Sequence, residues 1–372
     1  MVAVAQPPNE ELLARVNDLD RIDYSHYLTQ VARLPKGVKQ AIYQDWRLYR
    51  RAFTWVIEKL PNGVVRPVRF EPRGWQKNYE TNRTLNDIAL KARKVGFSTD
   101  ILLEGYAKSA TMGHQRVAIM SHEEDATKRL LEIVKTAHEY NPMAPPLSVS
   151  NTQGLTMEYT KSRIWVGTAG ARVFGRGDDL TLLHLSEAAH FYKKVLDVET
   201  FMAGISEAVA KGGRWVIEST PNGEDPIFFP RWQSSQSGEF WRGIFLSLFE
   251  DETTEWDEDH PLALAHTRVP IFEMSPYELA LHNTGARTGH IRFMRYEKEK
   301  LLAKSEIDPS SNQVMGDERM LLQEYPTDPQ TCFLSSEDVV FDPHIVQTYR
   351  HRVQPAMFWE YGRAMKIWEQ HR

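Results

Sequence analysis

The chain has 372 residues, of which 41% are hydrophobic and 26% are charged, and its formal net charge is −5. This length and composition are typical of a soluble globular protein with one large domain or two modest ones, and a core of that size needs no covalent staples. The single cysteine, Cys332, excludes an intramolecular disulfide and a cysteine metal cluster, and the acidic balance predicts no tight, salt-dependent DNA binding from charge alone.

The first predicted element is a helical region over residues 9–60, where Leu, Arg, Tyr and Trp recur at helical spacing before the turn Pro61-Asn62-Gly63. From Asp87 to about Glu250 the pattern changes to short apolar strands that alternate with helices. The strands are predicted at Ile88–Lys91, Arg116–Met120, Leu180–Leu185 and Trp215–Glu218, and the helices at Ser98–Ala110, Glu123–Tyr140 and Lys193–Lys211. This alternation predicts right-handed crossovers and a mainly parallel sheet, with an antiparallel hairpin over Thr156–Gly167 at its edge.

An acidic loop at residues 250–259 marks a boundary. Beyond it, helices are predicted near Ser275–Asn283 and Gly289–Leu302, and a last one at Phe358–Trp368. We therefore divide the chain into an N-terminal helical region (1–60), a core (61–250) and a lid or linker region (251–372). The expected fold class is α/β, an ASCE-type P-loop NTPase with a mainly parallel sheet flanked by helices and a small helical lid.

The first candidate site is the segment KARKVGFST, residues 91–99, between a predicted strand and a predicted helix. It matches the phosphate loop GxxxxGK[ST] only in part, because Lys91 replaces the first glycine and Phe97 replaces the lysine. Backbone N–H groups at a helix N-terminus still suit a phosphate, and Lys91 or Arg93 would fold back over the loop to meet it. The predicted nucleotide-binding residues are Gln76, Lys91, Arg93, Lys94, Val95, Gly96, Phe97, Ser98 and Thr99, with Ser98 on Mg²⁺ and Thr99 on the α-phosphate. The alternative is a basic strand-to-helix turn without a ligand.

The second candidate is an apolar strand, residues 180–185, that ends in Ser186 and Glu187. P-loop ATPases place an Asp that coordinates the metal at such a strand end, and an acidic residue beside it. Here Ser186 takes the Asp position, so a hydroxyl or a water would reach Mg²⁺. Glu187 is the predicted general base for the attacking water, and Ser98, Ser186 and Glu187 form the predicted metal set. A single Glu after a strand is also commonly a solvated terminus.

The third candidate is Trp215–Gly223, an apolar strand that leads Ser219 and Thr220 into a Pro-Asn-Gly turn. Hydroxyls beside the nucleotide can sense the γ-phosphate, although an ordinary turn has the same pattern. Upstream, the amide of Gln76 suits an adenine edge. The glycine-rich loop at residues 170–179 carries two arginines and suits either an arginine finger or a plain surface loop. The sequence contains no HExxH, GxSxG or GxGxxG motif.

The order of these motifs resembles the ATPase part of the phage terminase large subunits. The resemblance joins Gln76, the altered phosphate loop, the strand ending in Ser-Glu and the segment IESTPNG, residues 217–223. It continues in LQEYP (322–326) and CFL (332–334), which are similar to the family's "QEYP…AF" signature, and covers roughly residues 65–345. It implies that Lys91 is a displaced phosphate-loop lysine, that Ser219 and Thr220 couple ATP to motion, and that Arg176 reaches a neighbouring subunit's ATP. The predicted catalytic residues are thus Glu187, Arg176, Lys91 and Arg93.

The resemblance implies an ATPase that uses ATP and Mg²⁺ to move double-stranded DNA into a procapsid. The implied partners are DNA, a portal protein, a small terminase subunit and further copies in a ring, with a monomer as the alternative state of the isolated chain. We expect location in the host cytoplasm, transiently on the procapsid, because no apolar run approaches the roughly 20 residues of a membrane helix and no signal peptide is visible.

Full-length members of the family continue into a nuclease domain, whereas this sequence stops at Arg372 without a cluster of strand-borne aspartates. We therefore expect an isolated ATPase domain without nuclease activity. Two alternative functions stay open. One is a superfamily 2 helicase-like translocase, which shares the Gln motif but would need a DEAD-type box that is not visible. The other is a non-catalytic protein that binds the portal and has a degenerate nucleotide pocket.

Overall fold

The structure is a computed structural model. It describes residues 8–59, 64–170, 179–195, 197–263, 273–283, 285–302, 321 and 323–333. No helix within these ranges is both long enough and apolar enough to cross a membrane.

A twisted α/β sheet of eight strands forms the centre of the described part of the chain, with a separate two-stranded hairpin beside it. The strands are β1 (Trp55–Lys59), β2 (Val65–Arg69), β3 (Asn86–Lys91), β4 (Arg116–Ser121), β5 (Leu147–Ser150), β6 (Gly154–Met157), β7 (Arg163–Thr168), β8 (Leu180–Ser186), β9 (Val209–Ser219) and β10 (Arg242–Leu246). Their order in the large sheet is β10-β3-β9-β8-β4-β7-β6-β5. The first six strands of this order run parallel, and β6 and β5 pair antiparallel at one edge.

Helices connect the strands and cover the sheet. They are α1 (Glu10–Asn17), α2 (Tyr24–Arg33), α3 (Lys36–Gln44), α4 (Trp46–Phe53), α5 (Gly74–Asn82), α6 (Phe97–Thr111), α7 (Glu124–Glu139), α8 (Val198–Ala208), α9 (Phe229–Ser235), α10 (Pro276–Asn283) and α11 (Thr288–Leu302). Short 3₁₀ segments occur at Ala188–Lys193, Leu248–Glu250, Glu252–Thr254 and Thr331–Phe333.

The central strands bury both faces, as parallel strands between two helical layers do. In β3, Ala89 belongs to one apolar cluster with α1–α7, and its neighbours Ile88 and Leu90 belong to a second cluster with α8 and α9. The N-terminal helices thus share a continuous core with the sheet. A third, smaller cluster joins Leu248 to residues of α10 and α11 and to Tyr325.

Most of the predicted elements are confirmed, including the mainly parallel sheet, the helices α6 and α7, and the edge hairpin formed by β6 and β7. The predicted helical region is wrong at Trp55–Lys59, which forms β1 and pairs antiparallel with β2. Bulky aromatic and β-branched side chains there alternate between buried and exposed positions, and this favours a strand. The helix predicted at Lys193–Lys211 is shorter, because a 3₁₀ segment precedes it and Val209 already begins β9. The helix predicted at Phe358–Trp368 lies outside the described residues.

A buried charge network anchors the N-terminal helices to the core. The Arg50 guanidinium on α4, which is 1% exposed, donates to Asp100 on α6 at 2.8 Å and also pairs with Glu80 on α5. Arg51 donates to the other oxygen of Glu80 at 2.9 Å. Because each carboxylate has at least one arginine partner, the network tolerates burial only while it is complete.

We expect Arg50→Ala to lower the free energy of unfolding by about 3–5 kcal/mol, because it leaves buried carboxylates without their main cation. Lys128→Ala is the matched control, since Lys128 forms an exposed pair with Glu124 that contributes about 0.5 kcal/mol or less. Urea denaturation of both variants measures the difference. Equal stabilities would show that the network does not hold the N-terminal helices in place.

Candidate nucleotide site

The altered phosphate loop connects the carboxyl end of β3 to the first turn of α6. Lys94 and Gly96 have positive φ angles of 62° and 87°, which turn the chain sharply before the helix begins at Phe97. The first N–H groups of α6 have no carbonyl partner within the helix, and the helix dipole adds partial positive charge there. The loop therefore keeps the backbone features of a phosphate-binding site.

The side chain at the usual lysine position of this loop points into the core. Phe97 is 1% exposed and stacks on Trp75, with ring centroids 5.8 Å apart and planes 14° apart. Tyr79 contacts the same ring at 5.2 Å. An ammonium group at this position would be buried among aromatic rings, so the cation of the site has to come from elsewhere.

That cation is Lys91, the last residue of β3. Its Nζ lies 2.9 Å from Oε1 of Glu187 and 3.1 Å from Oε2 of Glu218, and the residue is only 4% exposed. Burial acts to lower the pKa of Lys91, but the two carboxylates outweigh it and raise that pKa above its ordinary value. Lys91 is therefore a charged group that joins the ends of three neighbouring strands.

Glu187 follows β8 and adopts a left-handed backbone conformation, with φ 59° and ψ 46°. Its Oε2 accepts hydrogen bonds from the backbone N–H of Thr220 at 3.1 Å and from the hydroxyl of Thr220 at 3.2 Å. Ser219 adds a longer contact of 3.4 Å from its hydroxyl. Strained residues of this kind concentrate at functional sites. The structure thus brings the acidic strand end and the Ser-Thr turn into direct contact.

Glu218 is not among the predicted site residues, yet it lies at the centre of the site. It is fully buried near the end of β9, and its Oε1 accepts a hydrogen bond of 2.7 Å from the Ser98 hydroxyl. Nε2 of His184 lies 3.4 Å from the same oxygen. Burial acts to raise the pKa of Glu218, but Lys91, His184 and Ser186 together hold it well below its ordinary value. The signal in the sequence that pointed to this residue was a glutamate that directly follows the apolar run Trp215–Ile217.

The other predicted loop residues have different surroundings. Arg93 is exposed and pairs with Glu324 at 2.7 Å, and its backbone N–H donates to the carbonyl of Glu324, also at 2.7 Å. Gln76 is buried, accepts from the Arg73 N–H at 2.7 Å and donates to the Gly96 carbonyl at 3.3 Å. The remaining predicted residues Lys94, Val95 and Thr99 lie in the loop or the first turn of α6.

Several predicted positions cannot be placed. Arg172 and Arg176, the two arginines of the glycine-rich loop, lie outside the described residues, as do Leu322 and Leu334 of the downstream signature. Glu324 of that signature is described and packs against the phosphate loop through its contacts with Arg93. The QEYP segment is therefore adjacent to the site although more than 200 residues separate it from Arg93 in the sequence.

The donor atoms of this corner suit Mg²⁺. They are hydroxyl and carboxylate oxygens from Ser98, Ser186, Glu187 and Glu218, and hard oxygen donors are the ligands that Mg²⁺ prefers. Within the described ranges, no group of three or more His, Cys, Asp or Glu side chains has a geometry that could hold a metal by itself. This agrees with a Mg²⁺ ion bound through one or two protein groups and the phosphates of a substrate.

The sheet order defines the class of fold. β9 lies between β3, which leads into the phosphate loop, and β8, which ends in the acidic residue. An additional strand between these two motif-bearing strands distinguishes the ASCE division of P-loop NTPases, and the chain has this fold. The functional groups gather at the carboxyl ends of the parallel strands, where ligands of open α/β sheets bind.

No protein-family model and no curated protein matches the sequence. Among solved structures, the chain is similar to the large terminase ATPase domain of Thermus phage P74-26, with 14% identity and a TM-score of 0.40 over 55% of this chain and 91% of that one. It is also similar to the large terminase of bacteriophage HK97, with 11% identity and a TM-score of 0.43 over 72% of this chain and 60% of that one. The large terminase of a thermophilic bacteriophage has 11% identity and a TM-score of 0.38 over 54% of this chain and 52% of that one. The matched part of this chain therefore spans little more than half of the last two proteins.

We expect Phe97→Lys to lower the free energy of unfolding by about 3 kcal/mol or more, because it loses a buried ring and places an ammonium group in the core. Phe97→Met, which keeps an apolar side chain, is the control and should cost less. Thermal or urea denaturation distinguishes the two. If Phe97→Lys were as stable as Phe97→Met, the side chain at this position would point towards the phosphate loop and not into the core.

Proposed function

We propose that this chain is an ATPase motor that couples ATP hydrolysis to the movement of double-stranded viral DNA into a procapsid. The observation that carries the proposal is the ion pair between Lys91 and Glu187, whose carboxylate also binds the Ser219-Thr220 turn. One contact network thereby joins a phosphate-loop cation, a general base and a turn able to respond to both. The DNA-packaging part of the proposal rests on the motif resemblance described above.

In the proposed reaction, the phosphates of ATP bind the backbone N–H groups at the start of α6. Lys91 turns from the carboxylates to the β- and γ-phosphates, which carry more negative charge. Bound Mg²⁺ would bridge phosphate oxygens and neutralise the charge that develops on them. Glu187, released from Lys91, becomes free to accept a proton from the attacking water.

The turn after β9 would transmit this change. Thr220 holds Glu187 through its backbone N–H and its hydroxyl, so a movement of Glu187 has to break or carry these bonds. Asn222 in the same turn donates to the carbonyl of Ala189 at 3.1 Å, just beyond Glu187. This second contact gives the turn a fixed point on the acidic segment, and the turn can thus respond to the state of the base.

The assembled motor is the broader part of the proposal. Its partners would be double-stranded DNA, a portal protein, a small terminase subunit and further copies of this chain in a ring. In such a ring, Arg176 would supply positive charge to the ATP of the adjacent subunit, and such arginine fingers contribute about 10³–10⁵ in rate. Head-to-tail contacts between identical subunits permit this arrangement.

We expect Glu187→Gln to retain nucleotide affinity and to reduce turnover about 10²–10⁴-fold, because the amide keeps the shape but cannot accept the proton. The measurement is steady-state phosphate release with and without double-stranded DNA. Glu139→Gln, an exposed change on α7, is the control and should match the wild type. Turnover near the wild-type level in Glu187→Gln would place the base on another residue, and a wild-type protein without ATPase activity under all conditions would refute the proposal.

A second prediction concerns the displaced cation. Lys91→Ala should weaken the binding of a fluorescent ATP analogue at least about tenfold, since hydrogen bonds to charged groups contribute about 1.5–3 kcal/mol. Lys94→Ala should have a smaller effect, because Lys94 is exposed and has no contact with either carboxylate of the site. Circular dichroism checks that Lys91→Ala remains folded with its two carboxylates unpaired. Equal, mild effects of the two changes would contradict a role for Lys91 as the phosphate-loop lysine.

A further inference from the structure

The acidic strand β8 has a hydroxyl where a metal-binding carboxylate is expected, and the neighbouring strand has a carboxylate beside it. Ser186 of β8 and Glu218 of β9 are direct partners in the parallel register. Side chains of register partners on adjacent strands point to the same face of the sheet, and the strands lie about 4.8 Å apart. Glu218 is on the strand next to β3, one place nearer to the phosphate loop than Ser186.

We propose that Glu218 supplies the carboxylate of the Mg²⁺ site, moved by one strand from the end of β8 to β9. This inference rests on the proposed nucleotide site. Its main support is the hydrogen bond of 2.7 Å between Oε1 of Glu218 and the hydroxyl of Ser98, the residue that would contact Mg²⁺ directly. The longer glutamate side chain keeps its carboxylate beside Ser98 although it starts from a different strand.

The charges of the pocket support the same assignment. One cation, Lys91, faces two carboxylates, Glu187 and Glu218. Glu218 is fully buried, and an ionised carboxylate out of water needs a cation nearby. If Lys91 turns towards the phosphates of a nucleotide, Glu218 loses this partner. A metal ion bound with the nucleotide beside Ser98 would restore the balance of charge.

The two carboxylates have different surroundings, and this separates their roles. The Glu187 side chain is 25% exposed and is held by the turn at Thr220, so water can reach it. Glu218 is enclosed by Ser98, Lys91 and His184, a setting that fixes its oxygens and excludes bulk water. We therefore assign the proton transfer to Glu187 and the metal to Glu218. Ser186 supports the Glu218 carboxylate from the neighbouring strand.

The test measures metal binding directly. Mn²⁺ replaces Mg²⁺ and its free concentration is followed by electron paramagnetic resonance, in the presence of a non-hydrolysable ATP analogue. Glu218→Gln should weaken Mn²⁺ binding about 10–100-fold, the usual effect of removing a group that orients a metal site. Its affinity for the analogue in EDTA should be retained or increased, since a negative charge near the phosphates is removed. Glu139→Gln is the matched control.

The decisive variant returns the carboxylate to β8. Ser186→Asp combined with Glu218→Gln should regain most of the lost Mn²⁺ affinity, because the two positions are register partners. A Glu218→Gln protein that binds Mn²⁺ as tightly as the wild type would overturn the inference, as would a double variant as weak as the single one. If Glu218→Gln does not fold, Glu218→Asp serves instead, with the same expected loss because its carboxylate is one methylene shorter.

These outcomes are distinct from a failure of the proposed function. A wild-type protein that binds the ATP analogue neither with Mn²⁺ nor in EDTA would refute the nucleotide site itself, and the inference with it. A wild-type protein that binds both ligands, together with an unaffected Glu218→Gln variant, would refute only the role of Glu218.

Discussion

The ion pairs of Lys91 with Glu187 and Glu218 are the interaction on which the site depends. They join the carboxyl ends of β3, β8 and β9, the three adjacent strands that carry the motifs of the site. A buried ammonium is stable only when carboxylates compensate it, so the position of Lys91 also fixes the positions of both acids. Because the same group is the cation nearest to the phosphate loop, a bound phosphate and the two carboxylates would compete for it.

The displacement of the cation from position 97 to position 91 follows from the packing of the core. Phe97 completes an aromatic stack with Trp75 and Tyr79 beneath the loop, and a lysine there would have no partner. Below this stack a buried arginine, Arg214 of β9, donates to Asp87 at 2.8 Å and also pairs with Glu104 of α6. The sheet and the helix that frame the loop are thus tied together at their bases as well as at the site.

Segments distant in the sequence complete the surroundings of the loop. Arg73, just before α5, pairs with Asp251 at 2.6 Å and donates to the Val95 carbonyl at 3.3 Å. Glu324 contacts Arg93 through both its side chain and its carbonyl. The loop is therefore bounded on one side by the start of α5 and on the other by the region after residue 320. A change in the loop's conformation on binding phosphate has two direct routes to the rest of the protein.

The sequence by itself determined the alternation of strands and helices, the place of the phosphate loop and the acidic strand end at Glu187, because apolar periodicity and glycine position are local signals. It did not determine β1, since Trp55–Lys59 forms a strand only through its partner β2. Nor did it determine where Phe97 points or which acid lies beside Ser98. Those depend on the register of β8 against β9, which places Glu218 opposite Ser186. Strand register and burial are set by contacts between residues far apart in the chain, and only the tertiary structure decided them.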